Sequence, residues 1–124
     1  MADKQRIGLL GEKLALRRLQ QKGYHILERN FRCPLGEIDL IAREGGDLVF
    51  IEVKTRSSGR FGLPQEAVDW RKQRRLCLLA KYYMNNKGIL DTSCRFDVVA
   101  VLLTARDTAR IKVFQNAFFL PGGW

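Results

Sequence analysis

The chain has 124 residues, of which 46% are hydrophobic and 28% are charged. This is the composition of an ordinary globular protein, and the length favours one domain, residues 1–124, with its own core. The 22 Lys and Arg residues outnumber the 13 Asp and Glu residues, which gives a formal charge of +9 at pH 7. Such an excess favours a polyanionic partner such as nucleic acid.

Cysteine usage and hydropathy indicate the compartment. Cys33, Cys77 and Cys94 are widely spaced, which argues against a disulfide framework and against a structural zinc site. The N-terminal residues lead into an amphipathic segment, and no run approaches the roughly 20 apolar residues of a membrane span. We expect a cytoplasmic protein without a membrane partner.

The periodicity of apolar residues predicts seven elements. Helical spacing runs from Lys4 to Lys22 and ends at Gly23, and strand-like and helical segments then alternate with turn-forming residues. This order predicts an α+β (α/β) fold, α-β-β-β-α-β-β, with a mixed five-stranded sheet flanked by helices. The predicted elements are a helix over 4–22, strands over 24–31, 36–44 and 47–54, a helix over about 65–85, and strands over 96–103 and 110–114.

The Gly-Gly pair at positions 45 and 46 favours a two-residue hairpin turn, because both central residues of such a turn need positive φ. If Glu44 closes the turn against Asp47, the register places Asp39 opposite Glu52. Directly opposed carboxylates repel each other unless a cation lies between them. A divalent metal is the natural occupant.

The same register divides the hairpin into two faces. Glu37 lies opposite Lys54 on the face of the acids, and Ile38 and Leu40 lie on the other face. Two hard oxygen ligands and a nearby ammonium suit phosphodiester hydrolysis with Mg²⁺ or Mn²⁺. The alternative is a solvated polar face with a routine Glu37–Lys54 ion pair. The face becomes apolar towards the turn, which favours burial and the functional interpretation.

Asp39 followed by Glu52-Val53-Lys54 resembles the acid, then acid-x-Lys signature of the PD-(D/E)XK nuclease superfamily, with Ile38 in place of the name-giving proline. Over nearly its full length the chain is also similar to the YraN family of small bacterial proteins. The segments that carry this second resemblance, besides the hairpin, are Gly11-Glu12-Lys13-Leu14-Ala15, Gln65-Glu66-Ala67-Val68, Arg95-Phe96-Asp97-Val98 and Asn116-Ala117-Phe118.

The resemblance implies a restriction-endonuclease-like core and a metal-dependent endonuclease that hydrolyses DNA, related to archaeal Holliday junction resolvases. It implies that Asp39 and Glu52 hold Mg²⁺ or Mn²⁺, with the backbone carbonyl of Val53 as a third ligand, and that Lys54 positions the attacking water. Resolution of a two-fold junction would require a homodimer, since one active site cuts one strand.

Two further residues, Glu12 and Gln65, are candidate members of the active site. Glu12 lies in the apolar stripe of the first helix, where an unpaired buried carboxylate is costly. It either reaches a metal or basic partner or belongs to a more exposed part of the helix, and the resemblance implies an extra metal ligand. Gln65 either supplies polarity at the start of the second helix or holds a water or phosphate near Lys54.

Basic residues follow Lys54 in the next loop and helix, where they can hold phosphates on either side of a scissile one. Since the chain has no base-reading motif, we expect recognition of backbone and shape. Two alternatives remain: a nucleic-acid-binding module without turnover, and an interaction subunit that uses the aromatic tail, residues 118–124. The candidate nucleic-acid-binding residues are Arg56, Arg60, Arg71, Lys72, Arg74 and Arg75.

Overall fold

The computed structural model describes residues 4–57, 68–104 and 108–118. The described elements have the order α-β-β-β-α-β-β, so the predicted fold class and order are confirmed. They are α1 (Lys4–Gln21), β1 (His25–Cys33), β2 (Gly36–Glu44), β3 (Asp47–Arg56), α2 (Trp70–Lys87), β4 (Cys94–Leu103) and β5 (Ala109–Phe114).

The five strands form one mixed sheet in the order β1-β2-β3-β4-β5. Only β3 and β4 are parallel, and their connection contains α2, as a parallel crossover requires. One buried cluster joins α2 to one face of the sheet through Leu76, Leu79 and Tyr83. A second cluster joins α1 to the opposite face through Ala15 and Leu19. Within the described residues, neither helix is long and apolar enough to cross a membrane.

The β2–β3 hairpin has the predicted register near its turn, but the ladder does not include the predicted pairs Asp39–Glu52 and Glu37–Lys54. Glu44 pairs with Asp47, and the regular ladder continues to the pair Leu40–Ile51. The two turn glycines have φ of 59° and 90°, the positive values for which glycine is preferred. The turn therefore sets which residues of β2 and β3 face each other.

The alternation of β2 is interrupted at Asp39. Ile38 packs in the α2-side cluster with Ile41, whereas Leu40 packs in the α1-side cluster. The prediction that Ile38 and Leu40 share a face is therefore wrong. At the same level of the neighbouring strand, Asn30 has a left-handed φ of 52°, a conformation that disturbs regular strand pairing.

Helix α2 begins later than predicted. Asp69 has extended backbone angles, φ −71° and ψ 175°, and its carboxylate accepts a hydrogen bond from the Lys72 backbone N–H at 2.9 Å. Asp69 is therefore the N-cap, and the predicted start near Gln65 is wrong. Gln65 itself lies outside the described residues. The helix ends at Lys87, and Gly88 caps it with φ of 64°, which confirms the predicted C-terminal signal.

A buried ionic network fastens the turn end of the hairpin to β4. The Arg95 guanidinium contacts the carboxylates of Asp97 at 3.1 Å, Glu44 at 2.7 Å and Asp47 at 3.0 Å. The Tyr24 hydroxyl donates a hydrogen bond to Asp97 at 2.7 Å. Asp97 is only 1% exposed, so these donors compensate a carboxylate that would otherwise be costly to bury.

The start of the aromatic tail packs on the core. The Phe118 ring stacks on Phe96 with 4.8 Å between centroids, and the Ala117 N–H donates to the Phe96 carbonyl at 2.8 Å. Residues 119–124 lie outside the described residues, so the predicted role of the tail as an interaction surface stays a prediction.

Candidate active site

Strands β2 and β3 bring Asp39 and Glu52 together at the end of their ladder. Beyond the pair Leu40–Ile51, the Val53 N–H donates to Asp39 Oδ2 at 2.8 Å. The Asp39 side chain thus extends sideways towards β3 and accepts a hydrogen bond from its backbone. Glu52 comes next to this contact along β3 and is only 9% exposed. The charge of Asp39 acts on Glu52.

Both acids are shifted towards the protonated form. Burial, and then the charge of Asp39, raise the pKa of Glu52 from 4.5 to about 7. Burial also raises the pKa of Asp39, against the opposing effect of the Val53 N–H. Two close carboxylates in a partly dry site cannot both ionise easily without a cation. The pair therefore favours a proton or a metal ion near neutral pH.

A lysine from α2 already partners one of these acids. The Lys72 ammonium forms an ion pair with Glu52 Oε1. Lys72, Arg75 and both acids line one cavity of about 230 Å³ between the sheet and α2. The sequence places Lys72 only among the phosphate-binding candidates, which stays a prediction. Its contact with Glu52 spans 20 residues of sequence, beyond the reach of any local pattern.

Glu12 approaches the acids from the side of α1. It is half-buried, and its pKa is raised by burial and then by the charges of Asp39 and Glu37. It borders a cavity of about 670 Å³ together with Lys54 and Val53. Asp39 thus acts electrostatically on an acid at each face of the sheet, Glu12 on one and Glu52 on the other.

The close approach of α1 to β3 depends on Gly11. A β-carbon at position 11 would lie 1.8 Å from Thr55 Oγ1, which is too close for any real contact. Glycine is unfavourable inside a helix, and the sequence interpretation did not use Gly11 as a packing signal. Gly8 of the same helix has open space around it, which shows that glycine alone does not identify the contact. Gly11 allows α1 to seat Glu12 beside the end of β3.

Lys54 is exposed, and the alternation of β3 places it on the same side as Glu52. Its charge lowers the pKa of Glu52, although less than Lys72 does. The Glu37–Lys54 ion pair belongs to the alternative interpretation, and the structure pairs Glu37 with another residue. Glu37 instead pairs with Arg32 Nε at 3.1 Å, across the β1–β2 hairpin.

The other predicted residues are distributed around this centre. Arg56, Arg71 and Arg74 are exposed, and the Arg74 guanidinium lies 4.9 Å from the centre of the exposed Trp70 ring. Arg60 and Gln65 lie outside the described residues, so their predicted roles remain predictions.

The chemistry of the donor set fits Mg²⁺ or Mn²⁺. Among the described residues, no group of three or more His, Cys, Asp and Glu side chains is gathered closely enough to hold a metal. Magnesium, however, is usually bound by one or two carboxylates with waters and substrate phosphate completing its octahedron. Asp39 and Glu52 supply two such carboxylates, with Glu12 within electrostatic range.

Comparison with known proteins identifies the family of the chain. The model of the Uncharacterised protein family UPF0102 matches residues 11–101, which include all three acids. A UPF0102 protein of Moorella thermoacetica is 53% identical over 93% of this chain and 97% of its own length. One of Syntrophus aciditrophicus is 46% identical over 99% of this chain and 96% of its own length.

These matches agree with the resemblance to the YraN family that the sequence motifs indicated. The chain therefore belongs to the uncharacterised protein family UPF0102.

Proposed function

We propose that this protein is a Mg²⁺- or Mn²⁺-dependent endonuclease of the PD-(D/E)XK type that hydrolyses phosphodiester bonds in DNA, including branched or otherwise structured DNA. One observation carries the proposal: Asp39 and Glu52 lie in a largely buried site where burial raises the pKa of both, and they line a cavity together with Lys72 and Arg75. Phosphoryl-transfer sites combine carboxylates that bind a metal cation with basic side chains that bind phosphate.

Each residue has a role in this proposal. Asp39 and Glu52 would hold the metal, which when bound supplies Lewis acidity to a phosphate oxygen and to a water. The Val53 N–H holds the Asp39 carboxylate in place, which reduces the reorganisation needed on binding. Lys54, exposed beside Glu52, orients the attacking water, and Arg75 binds a neighbouring phosphate.

The formal charge of +9 supports a nucleic acid as substrate, since Lys and Arg contacts to phosphate supply sequence-independent affinity. Part of that charge borders the acids, because Arg75 lines the cavity of Asp39 and Glu52 and Arg56 lines that of Glu12. A homodimer stays part of the proposal, because two-fold cleavage of a branched junction needs two sites.

The test is cleavage of duplex, single-stranded and four-way-junction DNA with Mg²⁺ or Mn²⁺ by the wild type and by Asp39→Asn, Glu52→Gln and Lys54→Met. We expect each substitution to lower the cleavage rate by about 100-fold or more, since each removes a group that acts on the reacting phosphate or water. The control is Asp91→Asn, at an exposed acid outside the site whose left-handed φ of 55° asparagine also tolerates. Equal cleavage by the wild type and all variants would assign the activity to a contaminant.

The Lys72–Glu52 ion pair favours a second candidate, a nucleic-acid-binding module without turnover, because a lysine can neutralise Glu52 without any metal. This candidate predicts salt-sensitive DNA binding that is unchanged in Asp39→Asn, and no Mn²⁺ binding by calorimetry. Saturable Mn²⁺ binding that is lost in Asp39→Asn would exclude it.

A further inference from the structure

Lys72 occupies an unusual place in its helix. With Asp69 as the N-cap, Lys72 is the third residue of α2, the position at which an acid best complements the helix dipole and the free N–H groups. The first turn of α2 contains no acid at all. A cation here is unfavourable for the helix itself, so its position needs another explanation.

The contact between Lys72 and Glu52 supplies that explanation. Its ammonium pairs with Glu52, whose side chain is only 10% exposed, while the Lys72 side chain is 45% exposed. The carboxylate is therefore fixed in the sheet, and the lysine reaches it from the solvent side. A flexible, strongly hydrated ammonium can leave such a contact much more easily than the carboxylate can move.

We propose that Lys72 is an exchangeable counter-ion of the acid pair: it neutralises Glu52 in the metal-free protein and is displaced by a divalent cation, after which it binds a DNA backbone phosphate. This inference rests on the proposed metal-dependent function. Both cations need the same carboxylate, and a bound divalent ion repels the ammonium while restoring the neutrality that Lys72 provided.

The destination of the released ammonium is close by. Arg75 lies one helical turn from Lys72 on α2 and borders the same cavity of about 230 Å³. Once Lys72 has left Glu52, the two side chains form a pair of cations at the mouth of the acid site. The exchange therefore links metal binding to phosphate binding and keeps part of the DNA affinity conditional on the metal.

The first experiment is calorimetric titration of Mn²⁺ alone, without DNA, into the wild type, Lys72→Met and Arg75→Met. Removing the competitor should make Mn²⁺ binding to Lys72→Met about tenfold tighter or more. Arg75→Met removes an equal charge from the same cavity without removing a partner of Glu52, so its affinity should change by less than about threefold. Lys72→Gln, which keeps a polar side chain on the helix, should behave as Lys72→Met does.

The second experiment measures anisotropy of a labelled DNA duplex with Ca²⁺ or with EDTA. Lys72→Met should weaken DNA binding by about threefold or more with Ca²⁺ and leave it nearly unchanged with EDTA, because the wild-type lysine contacts phosphate only after displacement.

Two results would overturn the exchange. In one, Mn²⁺ binds the wild type and Lys72→Met equally tightly; in the other, Arg75→Met tightens Mn²⁺ binding as much as Lys72→Met does. Both leave the proposed function intact, since Mn²⁺ still binds. If Mn²⁺ binds neither the wild type nor Lys72→Met, the metal-dependent function itself fails, and the exchange fails with it.

Discussion

Substitution of Glu52 by glutamine should change how the stability of the protein depends on pH. The folded-state pKa of Glu52 is raised from 4.5 to about 7, so the folded protein holds this proton more tightly than the unfolded chain does. The protonated Glu52 carboxyl therefore adds to the free energy of unfolding. This contribution is fully present below about pH 4.5 and is lost as the pH rises through about 7.

The size of the effect follows from the shift. A change of one pKa unit corresponds to about 1.4 kcal/mol. Ionisation of Glu52 should therefore lower the free energy of unfolding by about 3 kcal/mol between about pH 4.5 and about pH 8. Glu52→Gln has no carboxyl to ionise and keeps an oxygen that can accept from Lys72. Relative to the wild type, the variant should therefore become more stable by about that amount across this interval.

The assay is urea unfolding at several pH values in EDTA, for the wild type, Glu52→Gln and the control Asp91→Asn. Asp91 is exposed, and single exposed charges contribute little to stability. Parallel pH profiles for the wild type and Glu52→Gln would refute the reasoning, because Glu52 would then titrate alike in the folded and unfolded states. Saturating Mn²⁺ should stabilise the wild type at about pH 8 by about 3 kcal/mol at a concentration 100 times its Kd, and the variant much less.

Two further predictions concern the scaffold that holds the acids. Gly11→Ala should lower the free energy of unfolding by about 1–2 kcal/mol, because the new β-carbon would overlap Thr55. Gly8→Ala should raise the free energy of unfolding by up to about 1 kcal/mol, because position 8 has open space around it. Urea unfolding of both variants checks this, and equal effects would contradict the packing argument. Arg95→Met should destabilise by about 3–5 kcal/mol, because it leaves Asp97 buried with its strongest partner removed; a loss below about 1 kcal/mol in the same assay would mean that the network tolerates that charge.

The hairpin and its acids could be predicted because their information is local. A Gly-Gly turn fixes the register, and the two-residue period of a strand then determines which side chains face each other. The pairs from Glu44–Asp47 to Leu40–Ile51 follow this rule without exception. The order of helices and strands was predictable for the same reason, since each hydrophobic period and each turn signal lies within a short stretch of sequence.

The contacts that the hairpin register did not predict depend on residues far apart in the sequence. The Lys72–Glu52 pair joins α2 to β3, and the start of α2 depends on the Asp69 cap rather than on the apolar period. Likewise, Glu37 pairs with Arg32 of β1, a strand that the hairpin register does not include. These contacts require knowledge of how the helices and β1 pack on the hairpin, which no local pattern supplies.

The interruption at Asp39 shows how one irregularity can create the site. In a fully regular β2, Asp39 would project from the α2 face like Ile41, with the sheet between it and Glu12 on α1. Instead, the ladder ends at Leu40–Ile51 and the Asp39 carboxylate accepts a hydrogen bond from the Val53 N–H of the neighbouring strand. From there its charge acts on Glu12 on one side and on Glu52 on the other. The irregularity that breaks the alternation rule thus accompanies a carboxylate whose charge acts on acids at both faces of the sheet.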